Sequence, residues 1–395
     1  MKYELLAPVG NFPMLHAAIN AGADAVFLGL KEFNMRDNAN NFTVADLKKA
    51  KKICEKSNIK LYLTLNVIIF NEELKKLETV FKKIKGNVDA IICWDLSVIN
   101  LCKKNNIPFH ISTQASISNS EAANFYKKLG AERVVLAREL SLKQISEIKK
   151  KSKMEVECFC HGAMCVSVSG RCFTSQFLHG LSANRGQCAH PCRREYTIRE
   201  VGSDNELKLQ NNRVMSAKDL CTLPFLEKMK KAGIISFKIE GRNRSPEYVH
   251  TVVKVYREAL DNKLTSKRTN ELVEELKKVY NRGFSEGFYF KMPTNDDFSD
   301  SKHGEQTEKK HYIGRVDKYW PKVKSASVKI HSKKISVGDD VYIIGKNIGI
   351  KKIKVESIEL NGKKVNMAKK GDEIGLFIGD IEAKKGDEIY LIERQ

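Results

Sequence analysis

The chemistry of this chain is concentrated between Glu155 and Tyr196. That stretch holds six of the ten cysteines, Cys158, Cys160, Cys165, Cys172, Cys188 and Cys192, and Cys221 follows shortly after. In a short secreted protein such a cluster reads as a disulfide framework. This chain has 395 residues and apolar content for an ordinary core, and its start, MKYELLAPVG, carries a carboxylate and a turn in place of an apolar leader. A reducing, cytoplasmic setting is therefore expected, with the thiols available to a metal or to redox chemistry.

The spacing separates the candidate metals only in part. Structural zinc usually takes Cys-x2-4-Cys pairs, because one tight turn can aim two sulfurs at a tetrahedral ion. Here the intervals are wide, from Cys165 to Cys172, to Cys188, and then to Cys192 and Cys221. An iron–sulfur cluster needs four thiolates and accepts them from separate loops. On spacing alone a cluster, a zinc site and inert thiols all stay open, since Cys also packs as a small hydrophobe. Cys158 and Cys160 share a strand with Met154 and Val156 and are expected in the core.

Several longer motifs narrow the choice. HGAMC at 161–165, SGRC at 169–172, NRGQC at 184–188, PCRREY at 191–196, SAKDLC at 216–221 and KIEGR at 238–242 resemble the signature of the collagenase-like peptidase family of unassigned mechanism, number thirty-two. The likeness runs from ELLAPVGN near the N-terminus to the region of Tyr256. It implies a 4Fe-4S cluster and oxygen insertion: hydroxylation of the tRNA wobble uridine, of a cytidine in large-subunit ribosomal RNA, or of ubiquinone precursors. It also implies Cys165, Cys172, Cys188 and Cys221 as ligands, with Cys192 as the alternative fourth, and a prephenate-like small molecule as oxygen donor. The family name itself implies a peptidase, which is the competing reading. A non-catalytic RNA-binding or cluster-carrier protein is the third.

The elements that must position these residues follow from periodicity. Eight near-continuous apolar runs read as strands, Glu4–Ala7, Ala25–Gly29, Lys60–Asn66, Ala90–Trp94, Phe109–Thr113, Arg133–Ala137, Glu155–Cys160 and Ile235–Ile239, and amphipathic helical stretches separate most of them. Buried parallel strands alternating with helices predict an α/β fold, a (β/α)8 TIM-like barrel. Thr43, Ser97 and Ser141 are expected to open helices, because each can accept the free amide protons of a first turn. The cysteine-rich insert, about 155–221, breaks the pattern after strand seven, on the face where barrel enzymes carry their sites. The barrel is expected over 1–290.

Strand ends on that face supply further candidates. Gln114, Arg138, Glu240 and Arg242 are expected to act on the substrate, together with Thr64, Asn66, Asp95 and Ser112 around them. Taken singly, Arg138 or Arg242 could simply pair with Glu139 or Glu240. Polar residues ending five or six buried strands nevertheless require a shared wet pocket. His161 is expected just past strand seven, hydrogen-bonding a cluster sulfur or the substrate; a Cys/His nucleophilic pair with Cys165 is the other option. Neither HExxH nor G-x-S-x-G occurs, so hydrolysis has no recognisable engine.

After the last barrel strand, a helix opened by Pro246 and a Glu/Lys-rich helix at Asn270–Tyr280 complete the first domain and precede a polar linker, 291–311. Residues 312–395 alternate short apolar runs with GDD and GDE turns and predict a small antiparallel β-barrel. The formal net charge is +21. Such a field draws in polyanions, RNA above all, although lysines on solvated helix faces account for much of the excess equally well. No apolar run approaches the ~18–20 residues of a membrane helix.

Overall fold

The computed structural model describes residues 3–37, 39–203, 206–207, 215–301 and 304–394. The expected insert and linker both include positions outside these ranges. Among the described residues, eight parallel strands close into a barrel: β1 (Glu4–Pro8), β2 (Ala25–Gly29), β3 (Lys60–Leu65), β4 (Ala90–Cys93), β5 (Phe109–Ile111), β6 (Arg133–Val135), β7 (Glu155–Gly162) and a closing strand, Ser236–Ile239. The closing strand pairs with β1 on one side, Glu4 opposite Ser236, and with β7 on the other, Ser236 opposite Glu157. Helices α1 (Phe12–Asn20), α2 (Val44–Lys56), α3 (Leu74–Ile84), α4 (Leu96–Asn105), α5 (Ser120–Lys128) and α6 (Leu142–Ser152) fill the successive crossovers. The α/β fold is therefore the expected closed barrel.

The capping chemistry explains where the helices begin. Thr43 accepts from the Asp46 amide and Asp46 returns the bond, and Ser141 and Gln144 do the same for α6. At α4 the expectation is corrected. The cap is Asp95, whose carboxylate accepts from the Ser97 amide at 2.9 Å, so Ser97 lies inside the helix. A carboxylate at that position also faces the positive end of the helix dipole.

Charge closes the barrel from within. Glu157, with no exposed surface, accepts from Lys238 Nζ at 2.8 Å and from Arg133 at 3.3 Å, while Glu4 accepts from Ser236 Oγ at 2.8 Å and pairs with Arg133. Burial pushes the Glu157 carboxyl up, but Lys238 and Arg133 outweigh it and hold the group below its usual range. Removing one partner would leave a buried charge uncompensated, a loss of about 3–5 kcal/mol.

The chain departs from a plain barrel at β7. This strand runs on to Gly162 because a short strand, Asp219–Cys221, pairs with it antiparallel, Leu220 opposite Gly162 and Cys221 opposite His161. A 3-10 turn at Leu223–Phe225 then leads into helix Leu226–Lys231, and helix Pro246–Asp261 follows the closing strand.

Beyond helix Ser266–Lys277 the backbone is less regular, and Phe298 bridges back to Ala217. The first strand of the C-terminal sheet, Glu308–Trp320, begins inside the segment expected as linker. Among the described residues that sheet has eight antiparallel strands, in the order Gly349–Lys354, Asp340–Gly345, Glu388–Arg394, Glu308–Trp320, Ser325–Ile330, Glu373–Phe377, Ile358–Leu360 and Lys363–Val365, sharing one apolar core. It rests on the barrel through Ile344 and Ile350 against Ala17 of α1, Asn20 Nδ2 donating to Ile348 O at 3.3 Å, and Lys310 paired with Glu247 at 3.0 Å.

Candidate active site

The strand ends and the insert enclose one cavity of about 160 Å³. Thr64, Asn66, Ser112, Gln114, Arg138, Glu240 and Arg242 line it, as expected for barrel positions at the C-terminal ends of strands. Asp95 does not, because it caps α4. The insert forms the opposite wall with Cys165, Cys172, Cys188 and Cys192.

The insert is held over the barrel by specific bonds. Arg185 pairs with Glu73 at 2.6 Å and donates to Ile68 O at 2.6 Å. Gly186 accepts from the Asp37 amide and has φ +98; a Cβ there would stand 2.5 Å from Asn34 O, so only glycine allows the approach. Within the insert the Cys172 amide donates to Asn184 Oδ1 at 2.8 Å, and Ser175 Oγ donates to Cys188 Sγ at 3.9 Å. Burial acts to raise the Cys172 thiol, but hydrogen bonds from Thr174 and Ser167 outweigh it and hold the pKa below its usual value.

The barrel side is dominated by guanidinium groups. Arg242, 4 % exposed, donates to Thr64 Oγ1 at 3.0 Å, and burial followed by repulsion from Arg36 pushes its pKa down to about 9. Its seat exists because position 29 is glycine, where a Cβ would meet Arg242 Nη1 at 2.3 Å. Arg138 lies 3.8 Å from the centroid of the Phe159 ring and donates to Ala163 O at 2.9 Å. Glu240 takes neither of these as partner. Its carboxylate accepts from Arg36 at 3.3 and 3.4 Å; burial would raise its pKa, but Arg36, Arg138 and Arg242 together hold it low. Gln114 Oε1 accepts from Ser112 Oγ. Arg36, Arg138, Arg242 and Lys238 thus stand against Glu240 and Glu157, which makes the cavity suited to an anionic guest.

Comparison with known proteins places this arrangement. The signature of peptidase family U32 matches residues 10–299. The chain belongs to that family. A Porphyromonas gingivalis protein named collagenase is 37% identical over 100% of this chain and 98% of its own length. A Methanocaldococcus jannaschii protein named as an uncharacterized protease is 40% identical over 99% of this chain and 98% of its own. The Bacillus subtilis tRNA hydroxylation protein P1 is 39% identical over 78% of this chain and 75% of its own. Relatives of this U32 chain therefore carry names from two different activities.

Two of the expected site residues lie elsewhere. His161 sits inside β7, 1 % exposed, and is packed among the rings of Tyr248, Tyr256 and Phe284, outside the cavity lining. Its partner is Tyr256 Oη at 3.4 Å, and burial, with a smaller contribution from Arg244, pushes its pKa down to about 3, so it is neutral. Cys221 is buried on the neighbouring strand with Tyr256 Oη 3.9 Å from its sulfur, and burial pushes its pKa up to about 11. The fourth thiol that shares the cavity is Cys192. Among the described residues no three His, Cys, Asp or Glu side chains are gathered for a single metal ion. As a donor set, however, the four cavity thiols suit a cluster: none is in a disulfide, and they come from separate turns. Arg36 itself escaped the sequence reading. It lies in the polar loop after β2, and the strand-end rule applied there would have found it. No helix among the described residues is long and apolar enough to cross a membrane.

Proposed function

We propose that this chain is an iron–sulfur-dependent RNA-modifying enzyme that hydroxylates a pyrimidine base, either the wobble uridine of tRNA or a base of ribosomal RNA. The observation that carries this reading is the single cavity in which four thiols face Gln114, Glu240 and a group of guanidiniums. The likeness to a tRNA hydroxylation protein supports it over most of the chain. Cys165, Cys172, Cys188 and Cys192 would hold a 4Fe-4S cluster, which when bound supplies electron transfer.

The residues of the chain bind and orient. A base that leaves its stack meets the Gln114 amide, whose NH2 group stays available while Oε1 accepts from Ser112. Glu240, fixed by Arg36, accepts from a base N–H. Arg138, Arg242 and Lys238 attract an oxygen donor of the prephenate-like, carboxylate-bearing class and hold it away from bulk water. His161, neutral and buried, stabilises the strand that leads into the site.

The test is mass spectrometry of nucleosides from a strain lacking the gene. One hydroxylated pyrimidine should be missing, restored by the native sequence, and not restored by Cys165→Ser. Glu240→Ala and Arg242→Ala should lower restoration by about 10²-fold, as for a misplaced reactant, while bulk tRNA affinity stays unchanged. An unaltered nucleoside profile, with gelatin cleavage above that of Cys165→Ser, would favour the peptidase reading instead.

A further inference from the structure

A second cationic group stands beside the cavity and takes no part in the roles assigned above. Arg193, from the turn Pro191–Arg193, lines the cavity; its guanidinium donates to Ala217 O at 2.6 Å and to Met164 O. Arg244, two residues past Arg242, pairs with Asp219 at 3.7 Å. Arg244 and Arg282 both lie against the Tyr280 ring, 4.0 and 5.3 Å from its centroid. Of the three guanidiniums only Arg244 pairs with Asp219, which is 1 % exposed, while Arg193 and Arg282 act on the same carboxylate through space.

The charges do not balance. Burial and then repulsion from Arg193 push the Arg282 pKa down, with Arg244 adding to the repulsion. The donors of Arg193 are taken up by carbonyls, whereas Arg244 and Arg282 are half-buried and Arg282 has no carboxylate partner among the described residues. Partly buried guanidiniums that repel one another are stabilised by an anion. Two planar forks held against one aromatic ring suit a tetrahedral oxyanion with several acceptor oxygens. We propose that Arg244 and Arg282, with Arg193 adding charge, bind a phosphodiester of the RNA strand next to the nucleotide whose base enters the cavity. This inference rests on the RNA reading. It adds a fixed point on the backbone, so that the neighbouring base reaches Gln114 and Glu240 in one register.

The experiment uses the full chain and two kinds of ligand. Fluorescent bulk tRNA is titrated across a salt series against the native protein, Arg282→Gln, Arg244→Gln and, as a control that removes one exposed charge from α5, Lys128→Gln. Each arginine variant should lower the slope of log affinity against log salt by roughly 0.7–0.9, one phosphate contact, and Lys128→Gln should lower it less. In the second arm inorganic phosphate alone should raise the Tm of the native protein by mass action, and the rise should vanish in Arg282→Gln. Should that variant fold poorly, Arg282→Lys keeps the charge without the fork and should retain the salt slope but lose most of the phosphate response. Phosphate stabilisation with tRNA slopes equal to that of Lys128→Gln would overturn the backbone contact and leave a small-anion site. No response in either arm would overturn the site altogether. Failure of the RNA reading would show separately, in the nucleoside profile.

Discussion

The ten cysteines fall into two groups that share a side chain and little else. Six belong to the barrel, Cys54, Cys93, Cys102, Cys158, Cys160 and Cys221, and all are buried. Burial pushes Cys54 up to about 12, Cys221 up to about 11, and Cys93, Cys158 and Cys160 up as well. All six pack as small apolar residues, and the five raised thiols stay protonated at any physiological pH. The other four, Cys165, Cys172, Cys188 and Cys192, sit on turns of the insert, are exposed or half-buried, and face arginines. The difference teaches that the thiol sets the possible chemistry, whereas the surrounding backbone and charge decide whether any of it is reachable.

The sharpest way to break this contrast is to load the protein with iron. Anaerobically purified protein should contain about four iron and four sulfide per chain. Cys165→Ser, Cys172→Ser, Cys188→Ser and Cys192→Ser should each fall to background, while Cys54→Ala, Cys158→Ala and Cys221→Ala keep the native content. Retained iron in Cys192→Ser with loss in Cys221→Ala would move the fourth ligand across to the barrel group. Stoichiometric zinc without sulfide would dissolve the proposal for both.

Alkylation gives the next largest effect. In apo protein Cys172, whose thiol is held below its usual range, should react with a maleimide at least about a hundredfold faster than Cys221, since the two-unit rise at Cys221 alone removes that much thiolate. Peptide mapping of the labelled sites reads the outcome, and comparable labelling of Cys158 or Cys160 would show that β7 opens.

The smallest effect concerns pH. Between about 3 and 6.5 the unfolded chain binds a proton at His161 that the folded chain does not, so stability rises with pH across that window and is lost as pH falls through it. His161→Phe should flatten the dependence by at most about 1.4 kcal/mol per pH unit, measured by urea unfolding. His110, also pushed down to about 3 by burial, keeps part of the slope in the variant. An unchanged slope would place His161 in contact with water.

Sequence made most of the barrel legible because its strands are buried on both faces and read as unbroken apolar runs. β2 matches its expected bounds, and β1 and β3 match within one residue. What stayed hidden depends on pairing between distant segments. The end of β7 was expected at Cys160, yet the antiparallel partner Asp219–Cys221 extends the ladder through His161 and draws that residue into the wall. The same pairing removes Cys221 from the cavity, a placement that no spacing rule contains. Arg36 belongs to no motif, and its partner Glu240 lies 204 residues away. Asp95 was overlooked as a cap because Ser97 stands close by and serves equally well in that role. In the C-terminal sheet the alternation of apolar residues revealed strands, while the order in which they pair leaves no local trace.

The ionic seam of the barrel has a consequence for synthesis. Glu4 finds Ser236 as partner across 232 positions of chain, and Glu157 waits for Lys238 across 81. At about 5–20 residues per second, a nascent chain therefore carries the acidic end of its first strand for on the order of ten seconds or more before the closing strand leaves the ribosome. During that interval the barrel can only be an open sheet with two raw edges, one of them holding a carboxylate that discourages a stray strand from pairing there. The residues that lock the finished wall would thus also guard the unfinished one, and Glu4→Leu should show its first fault as aggregation during expression rather than as a weaker native protein.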